Sequence, residues 1–348
     1  MTSLPLTSLP TPRTPDPQDA PPLRWGIAGT GGIAANMVGA MQQHSRQQVV
    51  AVASRQQHTA NAFAEKFGIE HPYAGLDQML ADDAVDAVYI ASPHSEHHAQ
   101  ALAAIAAGKH ILVEKAFTRN AAEAREVVAA ARERLVTALE AMWTRFLPHI
   151  DILRQLLADG ALGALTTVAA DHGQYFDDDP DFRLFNPELA GGALLDLGVY
   201  PISFSSFVAG TPQRVLAIGD RAFTGVDGQV SMLLQGEPGT TQSVINTNLF
   251  ARTETTASII GREARVFLAS DFYAPTTLTY RHRDGSELSY DGGPIRGHLA
   301  LVHEAAHLAQ LVADGRTESP LLPLDETISI LETIDEVRCQ LGVTLPGE

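Results

Sequence analysis

From residue 23 to residue 141 the chain alternates apolar runs of strand length with segments of helical period, and few folds accept that pattern. Residues 23–28 read as a buried strand, Gly32–His44 as a helix and residues 49–53 as a second strand. A helix follows with Ala60, Phe63, Ala64 and Phe67 on one face. Next come a strand over 85–91 and an Ala-rich helix stopping at Gly108, a residue suited to a left-handed C-cap. Residues 111–113 lead into Glu114-Lys115, Asn120-Ala-Ala-Glu123 has capping-box spacing, and residues 136–141 close the series. Strands joined through helices run parallel, and a parallel sheet needs cover on both faces. The expected fold is an α/β Rossmann domain with a doubly wound parallel sheet.

The second half follows a different pattern. Residues 165–170, 214–223, 229–234, 241–249, 256–260, 264–268, 276–281 and 287–290 read as strands. Tight turns such as Gly236-Glu-Pro-Gly239 and Gly261-Arg-Glu join several of them. Short-linked strands imply an open, mostly antiparallel sheet in an α+β domain, with helices expected near 146–158, 192–208, 297–313 and 325–340. Residues 1–22, rich in Pro, Thr, Ser and Leu, read as a disordered tail without a signal-peptide core. The expected organisation is this tail, a dinucleotide-binding domain over 23–142, and a substrate and dimerisation domain over 143–348.

Composition narrows the partners. A formal charge of −17 disfavours nucleic acid and anionic membranes, so an anionic cofactor must be held by backbone amides or a well-placed cation. No uninterrupted apolar run approaches about 18 residues, so no membrane span is expected. The single cysteine, Cys339, cannot form an internal disulfide and fits a reducing cytoplasm.

Between the first strand and first helix lies Gly29-Thr30-Gly31-Gly32-Ile33-Ala34, a G-x-G-x-x-A turn. Gly29 permits a tight turn, Gly31 lets a pyrophosphate approach the backbone, and Ala34 keeps helix and strand close. At the end of the second strand, where NAD enzymes place an acid, stand Ser54 and Arg55. A hydroxyl and a guanidinium suit a 2′-phosphate, so NADP is expected over NAD.

Lys115 ends a parallel strand at the carboxyl edge, where such sheets bind ligands, although a solvated lysine beside Glu114 would also fit. Asp196 and Tyr200, four residues apart, share one face of a helix. Pro201 cannot donate to the Leu197 carbonyl, which predicts a local kink. Spacing alone equally fits a core tyrosine bonded to an ordinary aspartate. The loop Gln174-Tyr-Phe-Asp-Asp-Asp-Pro-Asp-Phe-Arg-Leu-Phe185 could wall a substrate pocket or simply pack.

The segments Gly26-Ile-Ala-Gly-Thr-Gly-Gly-Ile-Ala34, Glu114-Lys115, Glu140-Ala-Met-Trp-Thr-Arg-Phe146 and Gly191 through Pro201 resemble the Gfo/Idh/MocA oxidoreductase family over essentially residues 23–342. Within it, the chain is most similar to the dimeric dihydrodiol dehydrogenases and NADP-dependent D-xylose dehydrogenases. The family's E-K-P motif is here Glu114-Lys115-Ala116, which loses the constraint of the proline. Its D-x-x-x-H is here Asp196-x-x-x-Tyr200, as in the dihydrodiol subgroup. The resemblance implies Lys115, Tyr200 and Asp196 as catalytic residues. It implies Trp143 and Arg145 beside the nicotinamide, and Ser92, Pro93, His94 and His97 in the cofactor loop, with Glu114. It further implies a small polyol, aldose or dihydrodiol substrate and a homodimer. In that reading Tyr200 takes the hydroxyl proton while Lys115 favours its phenolate and Asp196 orients the pair or binds a neighbouring hydroxyl.

Two rival readings compete. His303-Glu304-Ala-Ala-His307 is an H-E-x-x-H motif of the zinc-hydrolase kind, but no clear third ligand follows it and its helix carries core residues. A catalytically silent NADP-binding regulator would keep the glycine turn and typically lose Lys115 or Tyr200, and this chain retains both.

Overall fold

In the computed structural model, which describes residues 5–236 and 240–348, the first half of the chain forms a six-stranded sheet. Its strands are β1 (Arg24–Ala28), β2 (Gln48–Ser54), β3 (His71–Ala74), β4 (Ala87–Ile90), β5 (His110–Glu114) and β6 (Ala138–Ala141). They lie in the order β3-β2-β1-β4-β5-β6, and all neighbours are parallel. Helices α1 (Gly32–His44), α2 (Gln57–Phe67), α3 (Leu76–Leu80), α4 (His94–Ala106) and α5 (Ala121–Arg134) connect them. This is the strand order of a dinucleotide-binding Rossmann sheet. Gly108 takes φ 74°, and Asn120 caps α5 by accepting from the Glu123 amide at 2.9 Å. The pair β3 and α3 had no counterpart among the sequence expectations. β3 is a half-buried edge strand containing Pro72, so it shows neither alternation nor a continuous apolar run.

The later strands form an eight-stranded sheet. After α6 (Pro148–Ala158) come β7 (Leu165–Gly173), a π-helical stretch Leu194–Gly198 and α7 (Val199–Ala209). Then follow β8 (Arg214–Arg221), β9 (Asp227–Gln235), β10 (Gln242–Asn248), β11 (Ala257–Gly261), β12 (Ala264–Leu268), β13 (Leu278–His282) and β14 (Glu287–Tyr290). The order is β14-β13-β12-β11-β7-β10-β9-β8, antiparallel throughout except that β7 and β10 run parallel. The turn expected at 236–239 lies largely outside the described residues. α7 packs on β7 and β10. The opposite face carries exposed Leu216, Ile218, Leu233, Val244 and Phe267, of which Ile218 is 77% exposed. The stretch Pro187–Ala209 is apolar and long enough to cross a membrane, yet 83% of its most apolar window is buried in the fold.

α8 (Val302–Ala313) and α9 (Leu324–Leu341) complete the chain. Two compact units result. One comprises Pro15–Phe146 and Gly297–Ile328, and the other Met1–Thr14, Leu147–Arg296 and Ser329–Glu348. A single cut at 142 and 143 therefore does not describe the chain. The segment 297–328 returns to the nucleotide-fold unit, where α8 packs on α1, β5 and β6. The described part of the 22-residue N-terminal segment also differs from the expected disorder. Arg46 donates to the carbonyls of Gln18, Asp19 and Ala20, Gln47 donates to that of Pro21, and Ala20 packs against Ala306 and Ala309. In the other unit, the Arg13 amide donates to Asp151 Oδ2 at 2.7 Å. An extended proline-rich strand has unpaired carbonyls, and here side chains of folded elements take them up.

α8 also brings Glu304 into the interior near Glu114 and Glu140. Both Glu304 oxygens are buried, and neither has a hydrogen-bond partner among the described residues. Burial first, then the two neighbouring carboxylates, raises its pKa well above the ordinary glutamate value. Burial likewise pushes Glu140 up to about 7, against the opposing bonds from Thr327 and the Phe117 amide. A raised carboxyl stabilises the fold fully below its unfolded pKa, and that contribution is lost as pH rises through the folded value. Glu304→Gln, which cannot ionise, should therefore lose less Tm than the parent between pH 5 and pH 8. Each kcal/mol of difference corresponds to about 2–4 °C for a folded unit of about 150–250 residues. Parallel melting curves would contradict the buried-acid assignment.

Candidate active site

The carboxyl ends of β1, β2, β4 and β5 carry most of the expected site residues of the first unit. Gly29, at φ 112°, turns the chain so closely that a Cβ would stand 2.6 Å from the Ala91 carbonyl. Thr30 follows, and α1 opens at Gly32-Ile33-Ala34 with Ala34 fully buried. Gly31 and Gly32 are exposed, and a Cβ on either would meet nothing within 4 Å. The protein's own packing thus does not require glycine there. The N-terminus of α1 has no side-chain cap, which leaves first-turn amides for an outside anion. These features fit a dinucleotide pyrophosphate. Ser54 ends β2 and Arg55 is exposed just beyond, ahead of α2, whose N-terminus also has no side-chain cap.

The Lys115 turn is anchored from beneath. Glu114 is buried, accepts a short hydrogen bond from the Tyr89 hydroxyl, and receives the Lys115 amide on its other oxygen at 3.2 Å. His94 Nε2 lies 3.3 Å from the Lys115 carbonyl. His97 bridges two loops, its ring nitrogens 2.9 Å from the carbonyls of Ala116 and Ser92. The Lys115–Ala116 peptide is cis. His97 is fully buried, so it ties the loop of Ser92-Pro93 to the lysine turn instead of facing a ligand. Burial holds its pKa below the usual histidine value. Ser92 Oγ is bonded to Gln100 at 3.0 Å, and Pro93 sits at the N-cap of α4.

Trp143 and Arg145 lie in a 3-10 turn that belongs to the nucleotide-fold unit, although the expected boundary put them in the second domain. Trp143 stacks on His298 at 6.0 Å and 8°. The Arg145 guanidinium is buried and paired with Glu326 at 2.6 Å.

Asp196 and Tyr200 belong to the second unit. A π-helical stretch, Leu194–Gly198, runs directly into α7, which continues through Pro201. The Leu197 carbonyl, which Pro201 cannot serve, lies 3.3 Å from His172 Nδ1. Tyr200 is 9% exposed, and its ring lies against those of Tyr273 at 4.6 Å and His172 at 5.5 Å, tilted by 30° and 57°. Burial, followed by Asp271, pushes Tyr273 up to about 12. Asp196 is buried, and its two oxygens meet the Arg183 guanidinium at 3.0 and 3.1 Å. An arginine of the preceding loop, which the sequence reading did not single out, is thus a partner of Asp196. That loop also packs, since Phe182 and Phe185 join a core cluster while Tyr175 stays exposed. No local motif marked His172, Tyr273 or Arg183, because each meets the helix only through the fold.

The H-E-x-x-H residues diverge. His303 is pushed down to about 4 by burial and feels Asp16 and His44, Glu304 faces Glu114 and Glu140, and His307 bonds Ser319 Oγ at 2.8 Å. Among the described residues, no group of three or more His, Cys, Asp or Glu side chains is placed to hold a metal ion.

The family model described as oxidoreductase family, NAD-binding Rossmann fold (GFO_IDH_MocA), matches residues 23–141, and the GFO/IDH/MocA C-terminal domain matches residues 150–267. The human (Homo sapiens) trans-1,2-dihydrobenzene-1,2-diol dehydrogenase is 36% identical over 94% of this chain and 99% of its own length. The Xenopus tropicalis protein of the same name is 32% identical over 93% and 99%. Among solved structures, KijD10, a 3-ketoreductase from Actinomadura kijaniata in complex with NADP and TDP-benzene, matches at TM-score 0.80 and 26% identity. It covers 92% of this chain and 98% of its own. The aldose-aldose oxidoreductase from Caulobacter crescentus shares the fold at TM-score 0.82 and 22% identity, over 92% of this chain and 98% of its own. With both family domains matched in order and relatives aligned along almost its whole length, the chain belongs to the Gfo/Idh/MocA family and is a dehydrogenase built on an NAD-binding Rossmann fold.

Proposed function

We propose that this protein is an NADP(H)-dependent dehydrogenase that oxidises a carbinol carbon of a trans-dihydrodiol or an aldose, or reduces the corresponding carbonyl. The observation that carries the reading is the anchored Lys115 turn. It stands at the carboxyl end of β5, on the sheet edge that also bears the exposed Gly31-Gly32 cradle. The dihydrodiol dehydrogenase relatives support the substrate class, and the NADP in the 3-ketoreductase complex supports the cofactor. Arg55, exposed beside the uncapped start of α2, supports the choice of phosphate over free hydroxyl.

Bound NADP supplies the hydride acceptor at its nicotinamide. Removing hydride from a carbinol carbon builds positive charge unless the hydroxyl proton leaves with it. Tyr200 takes that proton. A free phenol titrates near pH 10, so the Lys115 ammonium is needed to favour phenolate, and it also donates to the substrate oxygen. Asp196 acts through Arg183, and this ion pair offers both donors and an acceptor to a vicinal hydroxyl. In reduction Tyr200 returns the proton to the carbonyl oxygen. The exposed apolar face of the second sheet, with Leu216, Ile218 and Leu233, supports a homodimer.

Tyr200→Phe and Lys115→Met should each lower turnover by at least about 100-fold while leaving NADPH affinity nearly unchanged. Absorbance assays of NADP reduction with trans-1,2-dihydrobenzene-1,2-diol and D-xylose, paired with NADPH titration, check this. Normal turnover in either variant would refute the assigned role. Arg55→Ala should raise KM for NADP by about 10-fold or more and barely change it for NAD. Equal effects on both cofactors would remove the 2′-phosphate assignment. Light scattering should give a dimer for the parent chain and a monomer for Ile218→Lys combined with Leu233→Lys. A monomeric parent would refute the proposed homodimer.

A further inference from the structure

The helix that bears Asp196 and Tyr200 begins without a capping residue of its own. Its first helical residue, Ala193, follows Gly191-Gly192, and neither glycine has a side chain to accept from the first-turn amides. Asp227, at the start of β9, takes that place. Its Oδ2 accepts from the Leu194 amide at 2.6 Å across 33 residues of sequence, and the carboxylate is only 2% exposed. Gly192 stands so close that a Cβ there would lie 2.3 Å from Asp227 Oδ1 and 2.9 Å from its carboxyl carbon. The two glycines are also tied to the Arg183 loop. The Gly192 amide donates to Leu184 O at 2.8 Å, and the Gly191 amide to Asn186 O at 3.1 Å.

We propose that Asp227 is a positioning residue for the reaction: as a cap supplied from a distant strand, it fixes the start, and hence the register, of the helix that presents Asp196 and Tyr200. This rests on the reading of Tyr200 as the proton-transfer group. The physical case has three parts. A carboxylate at a helix N-terminus meets the positive end of the helix dipole and the open amides, which compensates for its burial. The stretch it starts is π-helical, so interior hydrogen bonding alone does not impose the ordinary α-helical register there. The Leu194 amide held by Asp227 lies two residues before Asp196 and six before Tyr200, so a shift at the cap carries directly to both side chains. Burial pushes the Asp227 carboxyl up to about 6, with the Leu194 amide and the Arg338 charge opposing, so the group is mostly ionised at pH 7.5. The glycine pair then has a reason: Gly192 makes room for the carboxylate, and Gly191 lets the Arg183 loop pass within contact of the backbone, where a Cβ would stand 2.6 Å from Leu184 O.

The test uses the full-length protein with NADP and trans-1,2-dihydrobenzene-1,2-diol, comparing Asp227→Ala, Asp227→Asn and Tyr200→Phe for kcat, KM for NADP and Tm. Asp227→Ala should lower kcat by about 10-fold or more, with KM for NADP within about twofold of the parent. Asp227→Asn keeps an acceptor oxygen for the Leu194 amide but loses the charge that faces the helix terminus, so its kcat should fall between those of the parent and Asp227→Ala. If Asp227→Ala does not fold, the Asn variant decides. A kcat clearly below the parent at unchanged KM for NADP and near-parental Tm supports positioning, and parental kcat overturns it. Lower Tm with parental kcat per folded molecule in both variants also overturns the proposal, since the cap would then only stabilise. An inactive Tyr200→Phe beside a normal Asp227→Ala sinks the Asp227 assignment alone. An active Tyr200→Phe sinks the Tyr200 reading itself.

Discussion

A parallel sheet brings the carboxyl ends of its strands to one edge, and the first unit depends on that constraint. β1, β2, β4 and β5 end there in a glycine turn, a serine followed by arginine, a Ser-Pro loop and Glu114-Lys115. No local propensity would gather these four segments, which are spread along some ninety residues of chain between Gly29 and Lys115. The pairing of β1 with both β2 and β4 does so, at the point where the strand order reverses. Loops on a rigid edge need local fixing as well. Tyr89, His94 and His97 supply it by holding the Glu114–Ala116 backbone and the Ser92 loop together.

The second unit positions Asp196 and Tyr200 differently. Instead of a strand end, it uses a helix with an irregular start. The π-helical stretch, the proline at 201 and the His172 contact on Leu197 set the helix apart from a regular scaffold. Departures of this kind cost stability and persist where the surroundings over-determine them. Here the surroundings are Asp227 at the start, Arg183 on Asp196, and the stacked rings of His172 and Tyr273 beside Tyr200. A phenol packed beside two mutually stacked rings has few rotamers to lose on binding, so its hydroxyl is held in a fixed position.

Features carried by neighbours in sequence were readable before any coordinates. The glycine turn with its helix, the Asn120 cap of α5 and the left-handed Gly108 after α4 all follow from residues a few positions apart. The strands of both sheets, β3 excepted, followed from their periods. Long-range features were not readable. The Asp227 cap, the Arg183 pair and the His172 stack each join residues that only the tertiary fold makes adjacent. The return of 297–328 to the first unit was hidden for the same reason, because a helix looks alike whichever sheet it packs on. The proline-rich start misled in the opposite sense. Its composition shows no core-forming pattern, but its carbonyls serve arginine and glutamine side chains of folded elements.

The roles proposed for Lys115 and Tyr200 require both side chains to reach one substrate oxygen. A crystal structure of the ternary complex with NADP and an unreactive dihydrodiol analogue measures this directly. Lys115 Nζ and Tyr200 Oη should both lie about 3 Å from the hydroxyl on the carbon that faces the nicotinamide. A complex in which either atom points away from that hydroxyl, with another side chain in its place, would contradict it.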